Sequence, residues 1–224
     1  MVAKNHRKGF RILALLAQKG GAGKTTCAVH LAVLAQQSGL RVVLVDCDPQ
    51  RSAAEWWKAR ESGDPQMVEI TPDRLGDLAA AAEGDGVDLL VVDTRPSVER
   101  DTTEIAKRAD FILIPTRPAI LDLRAIGATT RVVRGMNRPA AVVLNSAPPG
   151  RGVAESPLTV EARTGLAAYG VPVAPVSITQ RAALSHALID GRAVTEFEPK
   201  GKAAQELTRL WKFTEDKLWP SARR

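Results

Sequence analysis

The strongest constraint on the fold is a junction near the start of the chain. An apolar run of strand length, residues 11–17, enters Gln18-Lys19-Gly20-Gly21-Ala22-Gly23-Lys24-Thr25-Thr26, and an apolar helical pattern follows. A strand, a glycine-rich turn and a helix start in that order aim backbone N–H groups and a helix N-terminus at one point, which suits an anion such as phosphate. The spacing departs from the usual G-x-x-x-x-G-K-[ST] pattern. Four residues separate the two glycines of that pattern, and counting back from Gly23 the first position is Gln18, followed by Lys19. A lysine thus stands where a standard loop has none.

The rest of the chain repeats a strand-then-helix rhythm. Helical spacing of Val29, Leu31, Ala32, Leu34 and Ala35 predicts a helix from Thr25 that stops at Gly39. The next strand, Arg41–Val45, ends in Asp46-Cys47-Asp48-Pro49-Gln50. A helix is expected over 52–61, where Trp56 and Trp57 read as packing groups, then a break at Gly63-Asp64-Pro65, a short strand Val68–Ile70 and a helix over 72–83. Val87–Thr94 is a third strand ending in an acid, Asp93. Helices are expected over 99–109, 121–135, 157–169, 179–190 and 201–218. Strands are expected at Phe111–Pro115, Ala140–Asn145 and Val171–Ala174, with Pro115 and Pro118 opening a loop and another loop at 146–153. Alternating strands and helices predict an α/β fold with a mostly parallel central sheet covered by helices on both faces. With 224 residues and no internal repeat or linker, residues 11–224 read as one domain preceded by a basic arm, 1–10.

Composition excludes several classes. No apolar stretch approaches the ~18 residues of a membrane-spanning helix. The N-terminus lacks the apolar segment and cleavage site of a signal peptide. Two cysteines, Cys27 and Cys47, form no disulfide framework or paired metal spacing and fit a reducing, cytoplasmic setting. A net charge of +6 is compatible with a polyanionic partner and equally with an ordinary charged surface.

Specific residues carry the chemistry. Lys24 can reach β- and γ-phosphates, Thr25 can place its hydroxyl on Mg²⁺, and Thr26 lies toward the α-phosphate. Asp46, Asp48 and Asp93 follow apolar strands whose carboxyl ends face the ligand crevice of such sheets.

These segments resemble the ParA/MinD family of deviant Walker A ATPases. Lys19–Thr26 looks like its deviant loop, Asp46–Gln50 like its second acidic motif, Leu89–Asp93 like its Walker B strand, and the similarity extends to Ile178–Leu184 and Asp190-Gly191. The length is similar to that of small ParA-type (ParF-like) partition proteins. The resemblance implies a single-domain P-loop NTPase that uses ATP and Mg²⁺, with Gly20, Gly21, Ala22, Gly23, Lys24, Thr25 and Thr26 around the phosphates. Lys19 would cross to the partner's nucleotide in a sandwich homodimer, supplying a cation in trans at the γ-phosphate. Asp48 would position the attacking water, making Lys19, Lys24 and Asp48 the catalytic set. Thr25, Asp46 and Asp93 would act on Mg²⁺, the acids through its waters. Pro115, with the loop to Leu121, would lie near the adenine. Asn145 has two readings, an adenine contact or a strand-end cap. In Thr94-Arg95-Pro96-Ser97 an arginine replaces a proline common in the family, and it either contacts phosphate or faces solvent.

The resemblance further implies a slow ATPase, stimulated by a centromere-binding or adaptor protein, that segregates DNA or positions another cargo. The ATP dimer would bind DNA without sequence preference and be nucleoid-associated. Arg181 is the leading candidate, with Arg163, Arg192, Lys200 and Lys202 around it. The alternative is a MinD-like membrane regulator using Leu207, Leu210, Trp211, Phe213, Leu218 and Trp219 with Lys212, Lys217, Arg223 and Arg224. Leu207, Leu210, Trp211 and Leu218 also fit a helix packed on the domain, the favoured reading, so membrane binding is not expected. An electron-donor role is rejected because Cys27 and Cys47 lie within or beside the nucleotide motifs. A ligase of the same fold would not need Lys19 in this role.

Overall fold

The computed structural model describes residues 9–96, 99–152 and 154–220. Most of the expected basic arm, residues 1–8, lies outside them, as do Arg223 and Arg224. Six strands form one parallel sheet: β1 (Arg11–Leu15), β2 (Val42–Cys47), β3 (Gln66–Glu69), β4 (Leu89–Thr94), β5 (Phe111–Thr116) and β6 (Ala140–Leu144), in the order β3-β2-β4-β1-β5-β6. The strands are buried because their alternate residues feed two cores. Leu13 and Leu15 face one, and Ile12, Ala14 and Leu16 the other. Helices α1 (Lys24–Gln37), α2 (Ser52–Lys58), α7 (Ala182–Ile189), α8 (Val194–Phe197) and α9 (Lys202–Leu218) contribute to the first core. Helices α3 (Leu75–Gly84), α4 (Glu99–Arg108), α5 (Ile120–Gly135) and α6 (Pro157–Leu166) contribute to the second.

The order positions the site. From β1 the chain crosses to β2 on one side; from the adjacent β4 it crosses to β5 on the other. Connections that diverge from neighbouring strands open a crevice at their carboxyl ends. The glycine-rich loop leaves β1 and Asp93 ends β4 at that crevice. Residues Cys27–Ala35 of α1 are buried without a break, so the helix behind the loop is encased on all sides.

Four expectations change. Pro115 does not open a loop; it lies inside β5, opposite Val143. Alternate residues of β5 face opposite neighbours: Ile112 donates to Pro139 O toward β6, and Leu113 O accepts from Leu16 toward β1. Pro115 therefore faces β1, which has already ended at Leu15, and its missing N–H costs no ladder bond. Second, Val171–Ala174 forms no strand of its own. The segment follows β6 through single bridges at Val142–Val173 and Ala147–Thr179. Third, α7 begins at Ala182, not 179, because Ile178 and Gln180 donate to Leu144 O and Ala147 O. Fourth, the short α8 was not foreseen; Glu196 fixes its start by accepting the Ala193 N–H at 2.7 Å.

Helix α9 packs on the domain, as its pattern predicted. Leu207, Leu210, Trp211 and Leu218 are buried, and Phe213 meets Phe111 edge-on at 6.2 Å. Arg11 Nε donates to Leu218 O at 2.9 Å and ties the helix end to β1. Exposing four such side chains would cost roughly 6–12 kcal/mol, so a membrane would have to repay a large penalty to extract them. Among the described residues no helix is long and apolar enough to cross a membrane.

Candidate nucleotide site

The loop is held by one buried amide. Gly21 and Gly23 have φ of +69° and +97°, in the left-handed region that glycine tolerates. Gly23 caps α1, and its carbonyl accepts the first helical bond from Cys27 at 2.9 Å. Asn145, at the end of β6, donates from Nδ2 to Ala22 O at 2.9 Å. A Cβ on Gly23 would stand 1.9 Å from that nitrogen. Asn145 thus braces the loop from below, a tertiary role neither sequence reading contained, and it also lines the adjoining cleft.

The cleft encloses about 720 Å³, with Gly21, Gly23, Lys24, Thr25, Thr26 and Asp48 along one side. Gly20 is exposed at the outer end of the loop, and Ala22 is buried. The Lys24 side chain is buried. Burial pushes its pKa down, against the pull of Asp93 and Asp48. The loop amides and this ammonium therefore converge where an anion would restore the missing countercharge.

Strand register delivers the acids. Asp46 and Asp93 are direct partners in the β2–β4 ladder, so they project to the same face. Asp93 is fully buried. Its Oδ2 accepts the Thr25 hydroxyl at 2.6 Å and its Oδ1 the Thr94 N–H at 3.0 Å. Burial raises its pKa to about 7, with the Asp46 and Asp48 charges adding to the rise and the Thr25 bond and Lys24 opposing it. Asp46 is also buried, and burial raises its pKa. Its Oδ1 accepts from Asp48 N at 2.9 Å and its Oδ2 from Ala54 N at 3.0 Å, so it shapes the turn that carries Asp48. Asp48 is half-buried at the cleft and accepts the Gln50 N–H at 2.9 Å.

The other predicted residues separate. Lys19 Nζ meets Asp122 Oδ2 at 2.8 Å on the opposite flank of the loop, with its side chain 41% exposed and that of Asp122 only 9%. Lys19, Pro115 and Asp122 line a small hollow there, and neither Pro115 nor Lys19 borders the nucleotide cleft. Arg95 pairs with Asp101 through Nε at 2.7 Å and lines a groove with Asp46 and Asp48, not the cleft that holds Lys24 and Thr25. Sequence reasoning missed Arg117 and Trp56. Arg117 follows β5 and its guanidinium overlies Gly21. Trp56 packs under Arg60 at 5.2 Å, as expected of a packing group, yet also walls the cleft beside Ile189. An arginine at a strand's carboxyl end was the available signal for the first.

The basic candidates divide as well. Arg181 and Lys202 line a cleft of about 880 Å³ together with Arg209 and Lys212, neither of which was among the expected DNA-binding residues. Arg181 is anchored to buried Glu206 at 3.0 Å. Arg163 borders the same cleft, but its guanidinium is spent on Glu155 at 2.6 Å, Ala174 O at 2.6 Å and Ser177 Oγ at 2.9 Å. Arg192 pairs with Asp190 at 2.6 Å outside this cleft, and Lys200 is exposed just before α9.

No cluster of three or more His, Cys, Asp or Glu side chains able to cage a metal exists among the described residues. The donor set nevertheless fits Mg²⁺, which takes one or two protein oxygens, substrate phosphates and waters. Thr25 Oγ1, with Asp93 fixing its orientation, is such a donor.

Residues 13–194 match the CobQ/CobB/MinD/ParA nucleotide binding domain family. The chain is similar to maintenance of carboxysome distribution protein A of Gloeobacter kilaueensis, with 34% identity over 90% of this chain and 96% of that protein. It is also similar to the protein of that name from Halothiobacillus neapolitanus, with 32% identity over 87% of this chain and 91% of the other. Its fold matches apo McdA of Cyanthece, with TM-score 0.75 and 17% identity over 93% and 99% of the two chains. The septum site-determining protein MinD from Pyrococcus horikoshii, solved with Mg-ADP, gives TM-score 0.72 and 18% identity over 92% and 96%. The strand order, the deviant loop and the paired acids, with the match across 13–194, make this chain a member of the CobQ/CobB/MinD/ParA nucleotide-binding family.

Proposed function

We propose that the chain is a ParA/MinD-type positioning ATPase that binds ATP with Mg²⁺, pairs with a second copy across the nucleotide, and hydrolyses ATP slowly until a partner protein stimulates it. The observation that carries this reading is the convergence of Lys24, Thr25, Asp48 and the loop amides on one cleft while Lys19 faces away from it. Lys24 balances β- and γ-phosphate charge. Thr26, at the first turn of α1, serves the α-phosphate. Bound Mg²⁺ would neutralise charge on the β- and γ-oxygens. Asp93 orients the Thr25 hydroxyl toward it, and Asp46 fixes the turn that presents Asp48. Asp48 holds the attacking water. A subunit whose own Lys19 points outward can complete only a neighbour's site, so pairing becomes conditional on the γ-phosphate.

The cations beside Arg181, doubled in such a dimer, would bind DNA by phosphate neutralisation, without sequence preference and with strong salt dependence. Arg163 and Arg192 contribute to the field with their charge offset by Glu155 and Asp190. The cargo is a large assembly carried on the nucleoid. The names of two relatives at 32–34% identity that cover 87–90% of the chain favour a carboxysome-like body, and the chromosome-partitioning ATPase Soj of Thermus thermophilus, 27% identical over 91% of the chain, keeps chromosomal DNA as the second reading; an adaptor protein would link ATPase and cargo.

Nucleotide binding and turnover test the core of this reading. Lys24→Ala is expected to lose ATP and ADP binding. Asp48→Ala is expected to keep binding and to lose hydrolysis by at least about 100-fold. Hydrolysis by Asp48→Ala at the wild-type rate would remove Asp48 from the mechanism. For DNA, Arg181→Glu should abolish ATP-dependent retention in a gel shift and leave ATP binding intact; full retention would move the surface elsewhere.

A further inference from the structure

We propose that Arg117 is a cis ligand of the terminal phosphate, a second cation that each subunit supplies to its own nucleotide. The inference deepens the proposed function and rests on it. Arg117 directly follows β5 and precedes Pro118, which is buried. Its backbone is therefore anchored at both sides while its side chain projects into the cleft beside Gly21, Lys24 and Thr25. The guanidinium lies against the loop itself: a Cβ on Gly21 would stand 3.0 Å from Nη2 and 3.7 Å from Cζ. Gly21 sits at φ +69°, a conformation that favours glycine, and its lack of a side chain leaves room for the guanidinium over the loop. No carboxylate or other hydrogen-bond acceptor engages the Arg117 side chain among the described residues. By contrast Lys19, Arg51, Arg60, Arg95, Arg163 and Arg181 all have acidic partners.

Charge and position identify the ligand. A nucleoside triphosphate carries several negative charges, and among the described residues Lys24 is the only other cation bordering the cleft. Lys24 is itself already drawn toward Asp93 and Asp48. Gly21 lies at the end of the loop remote from Thr26, so a group over it meets the far end of the phosphate chain, not the nucleoside. A planar guanidinium donates two parallel bonds to phosphate oxygens, a match that one ammonium cannot make. Arg117 would thus distinguish a triphosphate from a diphosphate before any second subunit arrives.

The test measures Mg²⁺-AMP-PNP and Mg²⁺-ADP binding by calorimetry, using full-length protein in a Lys19→Ala background that removes the trans lysine. Light scattering verifies the monomer. Arg117→Gln is expected to weaken AMP-PNP about tenfold or more and ADP by less than about twofold. Arg117→Lys should recover part of the loss. Equal weakening of both nucleotides, or of neither, overturns the proposal, as does a loss seen only when Lys19 is intact, which would place Arg117 in trans. An unchanged melting temperature excludes misfolding as the cause. Lys24→Ala in parallel separates the two levels: wild-type nucleotide binding by that variant would overturn the nucleotide site itself, whatever Arg117 does.

Discussion

Asp122 is expected to act as a latch on Lys19, and Asp122→Asn should strengthen ATP-dependent dimerisation. The pair is close, 2.8 Å, but Lys19 keeps 41% of its side chain exposed. At that distance the Coulomb attraction is about 1.5 kcal/mol in a water-like medium. Salt screening and the entropy of holding a long side chain lower the net value to about 1 kcal/mol. Two latches must open to form one symmetric dimer, so the penalty is about 2 kcal/mol, or roughly thirtyfold in the dimer dissociation constant. The assay is sedimentation equilibrium with Mg²⁺-AMP-PNP, and with Mg²⁺-ADP as reference. Asp122→Asn should dimerise at correspondingly lower concentration with the triphosphate analogue and remain unchanged with ADP. An unchanged or weaker dimer would refute the latch. A gain with ADP as large as with the analogue would show that the pair acts on something other than the γ-phosphate contact.

Two further outcomes follow from the site. The Asp93 carboxyl has a folded pKa of about 7 against an ordinary 3.8, so folding favours its protonated form, and that contribution to stability is lost as pH rises between those values. Without nucleotide or metal, Asp93→Asn should match wild type near about pH 4 and exceed it near about pH 8, by at most about 4 kcal/mol. Denaturant melts of the two proteins running parallel at both pH values would contradict this. Gly23→Ala combines a left-handed φ of +97° with a Cβ 1.9 Å from Asn145 Nδ2. It should cost about 1–2 kcal/mol for the backbone alone and lower nucleotide affinity by displacing the loop; wild-type affinity in a titration would show that Asn145 does not brace it.

Much of the fold was legible because its signals are local. Apolar runs ending in Asp46 or Asp93, and the Gly20–Thr26 loop between strand and helix, mark strand ends and a phosphate cradle without knowledge of distant residues. Packing of α9 was legible for the same reason, since Leu207, Leu210, Trp211 and Leu218 share one helical face. What was not legible depends on contacts remote in sequence. Pro115 reads as a loop residue until β1 is known to end before it. Asn145 becomes a brace only when β6 ends beneath Ala22, 123 residues earlier. Lys19 meets Asp122 across 103 residues, and no spacing rule anticipates that pair. The extended segment 172–180 follows β6 by single bridges, so it lacks the alternation of a strand and the period of a helix.

The central claim is that Lys19 belongs to the neighbour's nucleotide. Its most direct test is the oligomeric state of wild type and Lys19→Ala with Mg²⁺-AMP-PNP and with Mg²⁺-ADP, read by light scattering. Wild type should be dimeric with the triphosphate analogue and monomeric with ADP, and Lys19→Ala should stay monomeric with both. A Lys19→Ala dimer as stable as wild type, or a wild-type dimer equally stable with ADP, would contradict the account.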